Sequence, residues 1–190
     1  MDTRSAITGV ILAGGAGRRV GHRDKGLLSF RGKPLVAHVC ENLSPQVGGI
    51  VISCNRNLDQ YRSFAPTVVI DRRDNFQGPL SGLESVANRI HTDYVAIAGC
   101  DMPCLPPDWV ERLAAAMNKP ASAPPQICYA HDGNRAQYLC ALISRECLDS
   151  LEGFLDEGRR AVKEWYGLHG GLAIDFSDDA GCFVNYNEAD

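Results

Sequence analysis

The stretch Leu12-Ala13-Gly14-Gly15-Ala16-Gly17-Arg18-Arg19, followed by Asp24-Lys25-Gly26, gathers the residue types that hold phosphate. Glycines let backbone N–H groups approach phosphate oxygens with no Cβ in the way. Arg18, Arg19 and Lys25 supply positive charge for a triphosphate chain whose own charge grows on the leaving group. Neither of the two commoner phosphate motifs fits. A dinucleotide fingerprint laid over Gly15-x-Gly17 needs a third glycine where Val20 stands, and the Gly-Lys-Ser/Thr of a P-loop is absent. The competing reading, a solvated basic turn between a strand and a helix, is weakened by the full glycine spacing, the two arginines and the distal lysine.

Such a loop acts only where regular structure aims it. Ile7–Leu12 reads as a strand, apolar throughout its second half as a buried parallel strand is. Further strands are expected at Gly49–Cys54, Thr67–Asp71 and Tyr94–Ala98. Pro34 opens a helix with Leu35, Val36, Val39, Cys40 and Leu43 on one face. A second helical stripe runs through Leu80, Leu83, Val86, Ala87 and Ile90. Pro106 and Pro107 lead into a third, facing inward through Trp109, Val110, Leu113, Ala114 and Met117. Beyond a proline-rich loop lie apolar runs at Ile127–His131 and Leu139–Ile143, helices near Arg145–Leu155 and Arg160–Tyr166, and short strands at Leu172–Phe176 and Cys182–Asn185.

This alternation predicts an α/β fold: a three-layer, mostly parallel Rossmann-like sheet with helices on both faces. Ligands of such sheets bind beyond the carboxyl ends of the strands. That edge collects Gly14 to Lys25, Asn55 and Arg56, Asp71 and Asp101, and their convergence weighs more than any one of them.

Composition narrows the field. A chain of 190 residues suits one well-cored domain, and 45% hydrophobic with 22% charged residues is ordinary for a globular protein. The net charge of −4 offers no global field for a polyanion, so a nucleic-acid partner is not expected. No apolar run approaches the ~20 residues that cross a bilayer, and Val10-Ile11-Leu12 is too short for a signal-peptide core. A cytoplasmic protein without membrane contact is expected. Of the eight cysteines, Cys54, Cys100, Cys128, Cys140 and Cys182 lie in or beside apolar runs, as reduced buried thiols do. Cys100 and Cys104 lack the second Cys/His pair that a zinc site requires.

The motifs then line up with one family. Leu12-Ala13-Gly14-Gly15-x-x-x-Arg19-x-Gly21-x-x-Asp24-Lys25-x-Leu27-Leu28, with Gly32-Lys33-Pro34-Leu35, resembles the signature of molybdenum cofactor guanylyltransferases, a branch of the nucleotide-diphospho-sugar transferase-like superfamily. Asn55-Arg56, Asp71, Gly78-Pro79-Leu80-x-Gly82, Cys100-Asp101-Met102-Pro103, His131-Asp132-Gly133 and Phe183-Val184-Asn185-x-Asn187 follow in matching order, so the resemblance covers essentially the whole chain. It implies transfer of GMP from GTP to the phosphate of molybdenum-bound molybdopterin, with release of pyrophosphate and with Mg²⁺ or Mn²⁺. It also implies transient contact with other cofactor-biosynthesis proteins and recipient molybdoenzymes. Within one domain, 1–190, residues up to about 104 would hold the nucleotide and the remainder would face the pterin.

Asp101, at the end of a buried strand, is the carboxylate expected to hold the metal, since Mg²⁺ takes one or two carboxylates plus substrate phosphates. A turn or helix-capping aspartate before Pro103 is the alternative. Lys25 and Arg19 would hold the β- and γ-phosphates, and with Asp101 they form the expected catalytic set. The resemblance assigns guanine to main-chain groups of Leu12, Ala13 and Gly14 and to the Gly78-Pro79-Leu80 turn, with Gly15, Asn55 and Asp71 completing the GTP site. Asp71 could instead cap a loop with Arg72 and Arg73. Asn185 and Asn187 match the family's pterin-proximal Asn-x-Asn, although an asparagine-stabilised turn would read the same way. Two departures stand out. Ser53 occupies a position where relatives often carry asparagine, and Gln137-Tyr138 replaces a His-Pro pair on the pterin-facing segment. A cytidylyltransferase of the same fold and a non-catalytic nucleotide-binding delivery module remain as rival functions. The resemblance implies guanine over cytosine, since cytidine-selective relatives tend to carry Leu-Ala-Ala-Gly where this chain has Leu12-Ala13-Gly14-Gly15, and intact Arg19, Lys25 and Asp101 favour an enzyme.

Overall fold

A computed structural model describes residues 3–15, 23–119 and 124–186. In chain order the described elements are β1 (Ile7–Leu12), β2 (Ser29–Phe30), β3 (Lys33–Pro34), α1 (Leu35–Leu43), β4 (Gly49–Ser53), α2 (Leu58–Tyr61), β5 (Thr67–Val69), α3 (Pro79–Val86) and β6 (Tyr94–Gly99). They continue with α4 (Trp109–Met117), β7 (Ile127–His131), β8 (Ala136–Ser144), α5 (Leu151–Asp156), α6 (Val162–Leu168) and β9 (Leu172–Asp175). One seven-stranded sheet has the order β5-β4-β1-β6-β8-β7-β9, and β2 with β3 forms a separate small hairpin. From β5 through β6 every pairing is parallel; β8 runs antiparallel to both β6 and β7, and β9 is parallel to β7.

Both faces of the sheet are covered because the strands are apolar on both sides. On one face Ile7 and Ile11 of β1 and Ala96 and Ala98 of β6 pack under Val36, Val39 and Leu43 of α1 and Trp109, Leu113 and Met117 of α4. On the other, Val10, Leu12, Val95 and Ile97 meet Leu80, Leu83 and Val86 of α3, with Leu151 and Phe154 of α5 and Trp165 and Tyr166 of α6 beyond. Gly9 explains how closely α1 seats: a Cβ there would stand 2.8 Å from Leu43 Cδ2. The predicted three-layer, mostly parallel sheet is thus the observed one.

Several local expectations are corrected. Pro34 lies in β3 and precedes α1. The third strand ends at Val69, leaving Ile70 and Asp71 outside it. The second helix ends at Val86, and Ala87–Arg89 tightens into a 3₁₀ turn, a common helix ending. In α4 it is Ala116 that is buried, while Ala114 is only partly covered. Cys182–Asn185 is no strand: Ser177–Phe183 winds as 3₁₀ turns, and the Tyr186 amide then donates to the Asp101 carbonyl at 3.0 Å. All eight cysteines are free thiols. Burial pushes Cys40 up to about 12 and Cys54, Cys128 and Cys147 to about 11, so these act as small core hydrophobes. Among the described residues no helix is long and apolar enough to cross a membrane.

Candidate active site

Three parallel strands end level with one another. Leu12 of β1 is in register with Ser53 of β4 and with Gly99 of β6. The chain runs outward from β1 to β4 and β5, then returns to place β6 on the other side of β1. The reversal point of the sheet therefore lies between β1 and β6, where α/β sheets open their ligand crevice. A cavity of about 410 Å³ sits there. Leu12, Ala13, Gly14 and Gly15 form its floor, with Lys25, Asp71, Gly78, Pro79 and Asp101 around it.

Lys25 is positioned by its neighbours on both sides. The Asp24 carboxylate accepts hydrogen bonds from the Tyr61 hydroxyl and, at 3.0 Å, from Asn57 Nδ2, which ties the loop to α2. Burial pushes the Tyr61 phenol well above its ordinary pKa, which keeps it a donor. Gly26 is buried against the same ring, and a Cβ there would collide with the Tyr61 hydroxyl. So held, Lys25 Nζ donates to Asp101 Oδ2. The two side chains retain 25% and 17% exposure, enough for a ligand to reach both.

Asp71 is held from the β4 side. Ser53 Oγ donates to its Oδ1 at 2.7 Å and Asn55 Nδ2 to its Oδ2 at 2.9 Å, while the Asp71 amide donates to Asn55 Oδ1 at 3.0 Å. Asn55 Nδ2 also reaches the Gly14 carbonyl at 2.9 Å, so a single amide binds Asp71 to the glycine loop. A Cβ on Gly14 would lie 2.9 Å from Asn55 Nδ2, and one on Gly82 2.7 Å from Ser53 Oγ; both glycines make room for this network. The rival role of Asp71, capping a loop with Arg72 and Arg73, is not the one adopted: Arg73 pairs with Glu84 at 2.7 Å and Asp156 at 2.8 Å. Arg56 donates to the carbonyls of Gly15 and Arg23, one on each side of the loop.

The ladder consumes some of the main chain expected to read a base. The Ala13 amide donates to the Ser53 carbonyl at 2.8 Å, and the Leu12 carbonyl accepts the Cys100 amide at 3.2 Å. Among the described residues, the Ala13 carbonyl and the Gly14 amide take no part in these ladder bonds, and the Gly14 carbonyl is held by Asn55. Gly78, at φ +93°, takes a conformation that favours glycine and delivers Pro79 to the first turn of α3. Leu80 does not line the cavity; it is 1% exposed and belongs to the core below α3. Asn55 likewise stands behind the wall, acting through Asp71 and Gly14. Arg19 and Asn187 lie outside the described residues.

A second cavity of about 410 Å³ adjoins the first, sharing Pro79, Asp101 and Leu139 with it. Asn185 lines it, together with Gln137, Tyr138 and Lys163. Asp101 stands where the two cavities meet. Sequence reasoning left Ser53 out of the site and did not place Phe76, Gly82, Gly99, Cys100 or Leu139 in the lining. Phe76 carried a usable signal, an aromatic in an otherwise polar Asp-Asn-Phe-Gln-Gly loop, and it is 42% exposed at φ +53°.

A glycine-floored crevice at the switch point of an α/β sheet, with a lysine–carboxylate pair at its mouth, defines the class: a nucleotide-handling protein of the nucleotidyltransferase kind. Comparison with known proteins agrees. Residues 9–170 match the model of the MobA-like NTP transferase domain, and the chain belongs to that family. It is 38% identical to a molybdenum cofactor guanylyltransferase of Shewanella sediminis, over 95% of this chain and 91% of that protein. With the protein of the same name from Mannheimia succiniciproducens it shares 40%, over 95% and 94%. Its fold is similar to that of molybdopterin-guanine dinucleotide biosynthesis protein A from Archaeoglobus fulgidus, with a TM-score of 0.75 at 22% identity over 95% and 92% of the two chains. A CMP:2-keto-3-deoxy-manno-octonic acid synthetase complexed with CTP shares the fold at a TM-score of 0.64 and 14% identity, over 90% and 89%.

Proposed function

We propose that this protein transfers GMP from GTP to the terminal phosphate of molybdenum-bound molybdopterin, releasing pyrophosphate, in the cytoplasm. One observation carries the reading: two cavities of about 410 Å³ each meet at Asp101, as a direct transfer between two bound substrates requires. The relatives named molybdenum cofactor guanylyltransferase support the choice of substrates. On this reading residues up to about 104 hold the nucleotide, and the later residues that line the second cavity face the acceptor.

The donor set suits a hard divalent cation such as Mg²⁺. Among the described residues no cluster of three or more His, Cys, Asp or Glu forms a protein cage, and Mg²⁺ is usually held by one or two carboxylates plus substrate phosphates. Asp101 is the carboxylate, with Asn185 beside it in the second cavity. When bound, the cation neutralises charge on the α-phosphate oxygens. The protein's own part is positioning and charge stabilisation, which do nearly all the work in such transfers. Gly15 lets the triphosphate approach the backbone, Lys25 leaves Asp101 for the departing phosphates, and Asp71 orders the loop through Asn55 and Gly14. The Ala13 carbonyl and Gly14 amide are the groups offered to guanine.

Incubation with GTP or CTP, Mg²⁺ and molybdenum-loaded molybdopterin, with pyrophosphate as the readout, tests the reading. Release with GTP and little with CTP is expected. Preference for CTP would make this a cytidylyltransferase, and nucleotide binding without release would make it a delivery module.

A further inference from the structure

β8 does not pair evenly with β7. Tyr129 of β7 is opposite Ala141, yet its neighbour Ala130 is opposite Gln137. Residues 138–140 of β8 are extra on that side, a bulge in the ladder. Bulges bend the strand and re-aim side chains. Here Tyr138 and Leu139, which an undisturbed strand would send to opposite faces, both pack on the side of the sheet covered by α3, α5 and α6. Leu139 lines both cavities and Tyr138 the second. The register of β8 against β6, Ala98 with Cys140, carries Tyr138 past the last paired residue of β6 toward Asp101.

The bulge is built to hold that ring still. The Tyr166 hydroxyl donates to the Tyr138 carbonyl at 2.8 Å, and Tyr166 itself is 1% exposed. The rings of Tyr129 and Tyr166 buttress Tyr138 at centroid distances of 5.1 and 5.9 Å. Next to it, Gln137 is buried and donates to Asp132 Oδ2 at 2.6 Å, which pins the strand at the other side of the ring. Tyr138 nevertheless stays only partly covered. A fixed, partly exposed aromatic in a cavity that also offers the cation of Lys163 suits a flat heteroaromatic carrying negative charge.

We propose that Tyr138 is a positioning residue for the acceptor, the platform on which its heterocycle stacks while its phosphate lies toward Asp101. This rests on the acceptor being the pterin proposed above. The ring contributes affinity for the acceptor and none for the nucleotide, whose cavity it does not line. Loss of one ring-on-ring stack corresponds to about tenfold or more in affinity.

Steady-state kinetics with molybdenum-loaded molybdopterin test it on Tyr138→Phe, Tyr138→Leu and Tyr138→Ala. Leucine fills the space against Tyr129 and Tyr166 without a π-face, and phenylalanine restores the face without the hydroxyl. Tyr138→Leu and Tyr138→Ala are expected to raise the KM for the acceptor about tenfold, Tyr138→Phe to leave it near wild type, and all three to keep the KM for GTP. An unchanged acceptor KM in Tyr138→Leu, or a loss in Tyr138→Phe as large as in Tyr138→Leu, overturns the stacking role while the proposed activity stands. A wild-type protein that binds GTP but passes GMP to no pterin overturns both.

Discussion

Replacing Lys25 with alanine separates binding from catalysis. In the free protein Lys25 is already paired with Asp101, and both side chains are partly exposed. A pair so placed is worth on the order of 1 kcal/mol once solvent screens it. When GTP binds, Lys25 trades one anionic partner for another, so the net ground-state gain is the difference between two similar pairs. That is about 1 kcal/mol or less, under about a tenfold change in affinity. Toward the transition state, charge accumulates on the oxygen bridging to pyrophosphate and the contact strengthens. Removal of one preorganised donor of this type costs about 2.7–4 kcal/mol, or roughly 10²–10³ in rate. Lys25→Ala should therefore lose roughly 10²–10³-fold in kcat while the KM for GTP rises less than about tenfold. Pyrophosphate release over a GTP series at saturating acceptor measures both. A variant in which only KM moved would make Lys25 a docking residue and refute the exchange between Asp101 and phosphate.

Asp101→Asn should abolish turnover while lowering the thermal midpoint by no more than about 2–4 °C, the scale of losing its ion pair with Lys25, and Mn²⁺ binding followed by electron paramagnetic resonance should weaken in parallel; near-normal activity at saturating Mg²⁺ would end the metal assignment. Gly15→Leu should cost GTP affinity at least about tenfold by calorimetry with little loss of stability, because a Cβ at Gly15 meets nothing within 4 Å among the described residues; an unchanged affinity would move the nucleotide elsewhere. Gly26→Ala should destabilise the protein by about 1–3 kcal/mol through its collision with the Tyr61 hydroxyl, and thermal melts should show Tyr61→Phe in the same chain recovering part of the loss. At Asp132 burial raises the carboxyl, but the amides of Arg135 and Asn134 and the Gln137 side chain outweigh it and the net pKa lies below the ordinary value. The stabilisation is then present above the unfolded pKa of about 3.9 and lost as pH falls through the lower folded value, so denaturant titrations should find Asp132→Asn less stable than wild type at pH 7, with the difference shrinking as pH falls through the folded value.

The half of the fold that carries the glycine loop was legible because its signals are local. Ile7–Leu12, Gly49–Ser53 and Tyr94–Gly99 are uninterrupted apolar runs, and the helices between them show one-sided stripes. The last third was harder, for physical reasons. An apolar run such as Leu139–Ile143 says that a strand is buried but not which way it runs, so the reversal of β8 was silent. Its bulge lies in Tyr138-Leu139-Cys140, where no turn residue marks it. Cys182-Phe183-Val184 has the spacing of a strand, but its backbone turns instead, and Phe183 alone is buried there. In the site, Lys25, Asp71 and Asp101 were readable from their places after strands. Leu80 was misplaced because a helix that opens at the cavity rim turns its second residue into the core. Ser53 was set aside because it departs from the asparagine of relatives, yet it supports Asp71 and lines the cavity, a role that no spacing encodes.

The hydrogen bond from the Tyr186 amide to the Asp101 carbonyl has a consequence for biosynthesis. A ribosome delivers β1, the glycine loop and β6 early and the segment through Tyr186 long afterward. The first cavity takes Leu139 from β8 as well as residues of β1 and β6, so its lining is complete in the chain before Tyr186, and the Asn185 side of the second cavity is the last part of the site to be synthesised.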